Sequence, residues 1–213
     1  EVQNAVAGSF DPAAFVSVAT NNGGTLSFKN SCTVVKFRLN EADNVKSVRF
    51  TANEVKNLAG TQNVLTTNIP THSWGSAFDG RSSFDMITLN APAEGFAANT
   101  DYYMTMRPQT MAKGINLYIE YTDCVKVRKG ASSFAAGVNK IRDLKAIDAS
   151  GLEDITLYEG YQMGFDVNLS GYTINKSTHG TATLIETDSN ITTNGIYFVK
   201  EGVTASYTGT GGI

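Results

Sequence analysis

The chain is short of the residues that usually carry chemistry. Its 213 residues include 2 cysteines, Cys32 and Cys124, which excludes a disulfide-dense scaffold and a four-cysteine zinc site. Charged residues make up only 17%, below the usual quarter, so Ser, Thr, Asn and Gly must cover much of the surface. The 17 Lys and Arg against 20 Asp and Glu leave a net charge of −3, which argues against a broad basic face for nucleic acid. No stretch approaches the roughly eighteen apolar residues of a membrane-spanning helix. The chain opens at Glu1 with neither Met nor a signal peptide, which reads as a processed product or a fragment. This composition suits a soluble, β-rich protein better than a conventional enzyme.

Catalytic signatures are missing as well. There is no Gly-x-Ser-x-Gly elbow, no His-Glu-x-x-His and no phosphate-binding Gly-x-x-x-x-Gly-Lys-Ser/Thr. His72 and His179 lie far apart and read as loop residues. Asp79 and Asp85, or Glu153 and Asp154, are close enough in sequence to pair, but solvated loop charge is the commoner reading. The glycines of Gly209-Thr-Gly-Gly212 lack the strand–helix context of a nucleotide site. No catalytic residue, metal or cofactor is expected.

What the sequence does have is alternation. Val35, Phe37 and Leu39 flank Lys36 and Arg38; Val48 and Phe50 flank Arg49; Ile115, Leu117, Ile119 and Tyr121 flank Asn116 and Glu120. This period of two predicts half-buried strands with Val35, Phe37, Leu39, Val48, Phe50, Leu117 and Ile119 facing a core. Thr122-Asp123 breaks the third run and implies a hairpin over about 114–129. Weaker strands are expected at Phe15–Ala19, Thr25–Asn30, Val64–Thr67, Phe84–Leu89 and Tyr102–Arg107. Val138–Leu144 fits either a helical turn or a terminal strand. The fold class is therefore all-β, an antiparallel sandwich.

Composition changes near residue 149. Residues 1–148 carry 15 basic and 13 acidic side chains, a balance of +2; residues 149–213 carry 2 and 7, a balance of −5. The second segment also holds 10 of the 20 glycines, between the apolar patches Ile155–Leu157, Tyr172–Ile174, Ala182–Ile185 and Ile196–Val199. It reads as a Gly-rich β extension, either a meander or the first coils of a β-helix. Two domains follow, 1–148 and 149–213, and the chain is expected to continue beyond Ile213.

Leu26-Ser-Phe-Lys-Asn-Ser-Cys-Thr-Val-Val-Lys-Phe-Arg-Leu39 resembles a strand of the fimbrillin-like (Mfa-like) surface proteins of Bacteroidetes. Ala5-Val-Ala-Gly-Ser-Phe-Asp-Pro12 looks like the linker before it, and Val45–Phe50 like the strand after it. Tyr102-Tyr-Met-Thr-Met-Arg-Pro108, Gly114–Thr122 and Asn139–Arg142 match later segments in the family's order. The resemblance covers roughly residues 4–145. It implies a transthyretin-like sandwich in a pilus subunit, tip adhesin or surface lipoprotein, and no catalytic residues. The family's double proline after the Tyr103 strand is replaced here by Arg107-Pro108.

The remaining candidates are binding residues. Trp74, in a polar loop, could stack on a sugar or enter a partner, and Tyr102 and Tyr103 join it as a platform. As sheet residues, half of Tyr102, Tyr103, Tyr118 and Tyr121 should be buried. Asp166, Asn168 and Ser170, followed by Gly171, match the early positions of a calcium loop, but Ser177 stands where the bidentate Glu belongs. An Asx-type turn is the stronger reading there. Cys32 and Cys124 could close one bridge after export, although two separate thiols are favoured. Asn168, Asn175 and Asn190 begin Asn-x-Ser/Thr triplets. The leading expectation is a non-catalytic, exported cell-surface protein acting through contact with other surface or pilus proteins. The alternatives are a glycan-binding module, or part of a polysaccharide-active enzyme built on a C-terminal β-helix.

Overall fold

The structure is a computed structural model that describes residues 1–54, 56–60, 63–65, 70–73, 83–165, 167–169, 172–174 and 180–209. Strand accounts for 51% of the chain and helix for 5%, so the protein is all-β. It divides into two compact units, Glu1–Glu153 and Asp154–Ile213, a few residues past the compositional break.

In the first unit a six-stranded sheet runs in the order Val2–Asn4, Met86–Asn90, Val45–Ala52, Ile115–Tyr121, Val125–Gly130, Glu153–Asp154. A three-stranded sheet runs Tyr102–Met106, Thr33–Leu39, Ile141–Ile147. Val35, Phe37, Leu39, Val48, Phe50, Leu117 and Ile119 are each at most 1% exposed, and they join one cluster with residues of both sheets. The sheets therefore face each other across a single core. Antiparallel pairing dominates, but the Val2–Asn4 and Ile141–Ile147 edge strands pair parallel to their neighbours. Of the two readings of 138–144, the strand is the one observed.

The hairpin at 115–130 needs Gly114. Its φ is +89°, and an added Cβ would overlap the carbonyl of Gly130. No L side chain fits both demands.

The Ala5–Pro12 segment is more than a linker. Ala5 N–H donates to Asn90 O at 3.0 Å and Gly8 N–H to Asp101 O at 2.9 Å. Asp11 accepts from the N–H groups of Asn4 at 2.8 Å and Ala13 at 2.9 Å, capping the turn Pro12–Ala14. These backbone donors hold its carboxyl below the usual range. Gln3 is buried, and its carboxamide accepts from Thr105 N–H at 2.9 Å and donates to Thr105 O at 2.7 Å. The N-terminal segment thus pairs by backbone with one sheet and by a side chain with the edge of the other.

The second unit is built differently. Ala182–Ile185 pairs parallel to Ile196–Val199, and Ser189–Ile191 parallel to Ala205–Tyr207. A meander would pair consecutive strands antiparallel, so this register is that of two stacked solenoid coils. Side chains tie the coils together: Thr208 Oγ1 donates to Asn190 Oδ1 at 2.9 Å, and Thr204 N–H to Asp188 Oδ1 at 2.8 Å. A short helix, Leu157–Gln162, packs against the Ala182–Ile185 strand. Tyr161 on this helix is fully buried, donates to Gly180 O at 2.6 Å and packs on Phe198.

Candidate functional site

The structure separates the tyrosines proposed as a platform. Tyr102 is 1% exposed, lies between Phe37 and Phe96, and its hydroxyl accepts from Ala97 N–H at 2.8 Å. It is a core residue. Tyr103 points to the opposite face of the strand, where it is half-buried, as are Tyr118 and Tyr121. Trp74, Asp79 and His179 lie outside the described residues, and His72 falls in the strand Thr71–Ser73.

Asn168 lies in Val167–Leu169, paired antiparallel with Tyr172–Ile174, so this backbone is a hairpin rather than a calcium-wrapping loop. Asp166, Ser170 and Ser177 lie outside the described residues, as does Asn175. Among the described residues no group of three or more His, Cys, Asp and Glu could hold a metal ion. Asn190 is exposed but uses its side-chain oxygen on Thr208.

Cys32 and Cys124 form no disulfide. Cys32 precedes Thr33 at the start of Thr33–Leu39, whereas Cys124 lies beside Tyr121, which pairs with Val45 just beyond that strand's other end. A seven-residue strand is about 20 Å long, far beyond the roughly 7 Å Cα separation that a bridge tolerates.

An exposed apolar surface of the first unit is a two-stranded arm, Ser17–Asn22 with Thr25–Asn30. Gly23 and Gly24, at φ +62° and +90°, form its two-residue turn, the backbone twist that tight hairpins require. Gly24 N–H is held by Asn21 Oδ1 at 2.9 Å. Leu26 is 56% and Phe28 68% exposed on one face of the ribbon. At the base, buried Ser31 donates through its hydroxyl to Val16 O at 2.8 Å, where the arm turns into the sheet strand.

Beside this base lies a cleft of about 330 Å³. The rings of Phe10 and Phe15, stacked at 4.1 Å, form part of its wall, with Tyr103, Val34 and the exposed Ile141. A second cleft of about 480 Å³ adjoins it under Phe28 and Val138. Both share Asn30, Asn139 and Lys140. Asn30 accepts from Ser17 at 2.9 Å and donates to Asn139 Oδ1 at 3.0 Å, so it fastens the arm to the turn before Ile141–Ile147. Asn139 takes a positive φ of 55°, a conformation Asn tolerates.

Further along the same sheet face the charges are paired. Lys36 lies 3.4 Å from Asp101 and 3.2 Å from Asp143; Arg38 lies 2.8 Å from Asp101, and Lys145 3.3 Å from Asp143. Asp143 is lowered to about 2, first by the N–H of Lys145 and then by the ammonium groups of Lys36 and Lys145. Lys36 is raised in turn, mainly by Asp143. Both edges of this small sheet are guarded. Gln3 covers Thr105 on one. On the other, the register shifts between Asp143 and Ala146, with Lys145 at φ 65°, a bulge that discourages strand addition.

No protein-family model, curated protein or solved structure matches this chain. Among the described residues, Tyr103 is the sequence-derived binding residue that lines a cleft. Phe10, Phe15, Asn139 and Lys140 join it from segments whose sequence offers only an aromatic pair around an Asp-Pro turn and an Asn-Lys before a strand.

Proposed function

We propose that this chain is a non-catalytic surface protein of the fimbrillin-like kind, a pilus subunit or an adhesin or accessory domain, that acts by protein–protein contact. The resemblance over residues 4–145 carries with it an exported, outer-membrane-associated setting in a Bacteroidetes cell and a transthyretin-like form of the two-sheet core. The observation that carries the contact reading is the arm. A two-stranded ribbon buries little by itself, and side chains as exposed as Leu26 and Phe28 gain free energy when a partner covers them. The guarded sheet edges favour contact through the arm over added strands. The stacked coils of the second unit support one other reading, part of a polysaccharide-active enzyme. Surface assembly and adhesion in cells with and without the gene separate the two. Loss of either on deletion is expected; unchanged assembly and adhesion, with polysaccharide cleavage by the purified chain, would replace contact with catalysis.

A further inference from the structure

We propose that the paired clefts beside the arm bind an acidic glycan, with Lys140 as the cation that meets its carboxylates. This goes beyond the contact reading and shares Phe28, but not Leu26, with the exposed face of the arm.

Size comes first. At about 330 and 480 Å³, each cleft is within the range of a small-molecule pocket, and their common wall lets one chain occupy both. Their apolar lining is aromatic: Phe10, Phe15 and Tyr103 in one, Phe28 in the other. Flat rings with a polar rim suit the C–H face of a pyranose, and aromatic hydroxyls reach its oxygens.

Polar supply comes second. Among the described residues the Lys140 ammonium, the Asn139 amide nitrogen and the Tyr103 hydroxyl have no protein partner, although all three line the first cleft. Asn139 already spends its side-chain oxygen on Asn30, so its amide nitrogen is left as a donor. Neither cleft is lined by Asp or Glu among the described residues, whereas Asp101 and Asp143 nearby are taken up by Lys36, Arg38 and Lys145. Lys140 in both clefts, Lys29 in the second, and two neutral hydrogen-bonding groups beside aromatic walls fit a ligand with carboxylates and hydroxyls.

An acidic peptide fits less well. An extended peptide binds by joining a strand edge, and the adjacent edge is bulged between Asp143 and Ala146. Its backbone also supplies no flat C–H face for the rings.

Calorimetric titration of the full chain with tetragalacturonate tests the proposal, with neutral galactotetraose and hexaglutamate as comparison probes. Tetragalacturonate should bind saturably and more weakly as salt rises. Lys140→Ala, at an exposed position that folding does not need, should weaken it about tenfold, the effect of losing one charge-assisted hydrogen bond. Tyr103→Phe, which keeps the ring, should weaken it less, and Leu26→Asp on the arm should leave it unchanged. No saturable binding overturns the proposal, as does binding that Lys140→Ala leaves intact. Galactotetraose binding as tightly would remove the acidic requirement, and hexaglutamate binding as tightly would reassign the clefts to acidic peptides.

Discussion

The side-chain amide of Gln3 bonds to both the N–H and the C=O of Thr105, 102 positions away, and does so in a buried setting. It stands in for a neighbouring strand at the edge of the three-stranded sheet, while the Val2–Asn4 backbone pairs with Met86–Asn90 in the other sheet. Gln3→Leu keeps bulk but leaves two buried peptide groups without partners. It should cost about 2–4 kcal/mol in urea denaturation. A loss below about 0.5 kcal/mol, the range of an ordinary surface change, would mean that the seam is not closed by this residue.

Phe37 and Lys36 test the register of the central strand. Phe37 is fully buried, so Phe37→Ala should cost about 3–5 kcal/mol, combining lost transfer energy with a cavity. Lys36 faces outward and links Asp101 to Asp143. Lys36→Ala should cost only a small fraction of the Phe37 value, and raising the salt concentration should shrink it further. Equal losses would reverse the assigned faces.

Acid sensitivity follows from Asp143. Its folded value of about 2 lies below the unfolded 3.8, so the folded state binds fewer protons over that interval. The contribution is complete above pH 3.8 and disappears as pH falls toward 2. Denaturation midpoints measured across this range should fall with acid, and Asp143→Asn should flatten the slope. Asp11, lowered by its two backbone donors, acts in the same direction and leaves a residual slope.

Both cysteines should react as thiols without reductant. Purified under oxidising conditions and then denatured, the chain should titrate two thiols, since Cys32 precedes Thr33–Leu39 and Cys124 lies past Tyr121, beyond that strand's other end. Finding none, with a monomer mass two hydrogens lighter, would require a different arrangement of the sandwich ends.

The core was legible because alternation reports burial directly: every residue expected inside from Val35 to Ile119 is inside. The hairpin at 115–130 was equally plain, since Thr122-Asp123 marks its turn. Tyr102 misled because alternation identifies two faces without saying which is covered; the packing of Phe37 and Phe96 on Tyr102 decides that. Gln3 gave no local signal at all, because its partner is set by which sheet edges meet. The short helix did leave a sign. Thr156-Leu-Tyr-Glu159 has the spacing of a capping box, and Thr156 and Glu159 make both bonds, but a glycine-rich setting masked it. For the second unit, patch spacing suggested coils, and only the parallel register separates a solenoid from a meander. The cleft was the least legible part, since Phe10, Tyr103 and Lys140 come from three distant segments.

The central claim, that the chain works by contact through its arm, is tested most directly at Leu26. This side chain is exposed on the arm, faces Asn21 across the ribbon and lines neither cleft. Leu26→Asp, placed in the full-length protein at its own locus, should leave folding and export intact while lowering surface assembly or adhesion toward the level of the deletion. Assembly and adhesion equal to wild type, at equal surface abundance, would contradict the account.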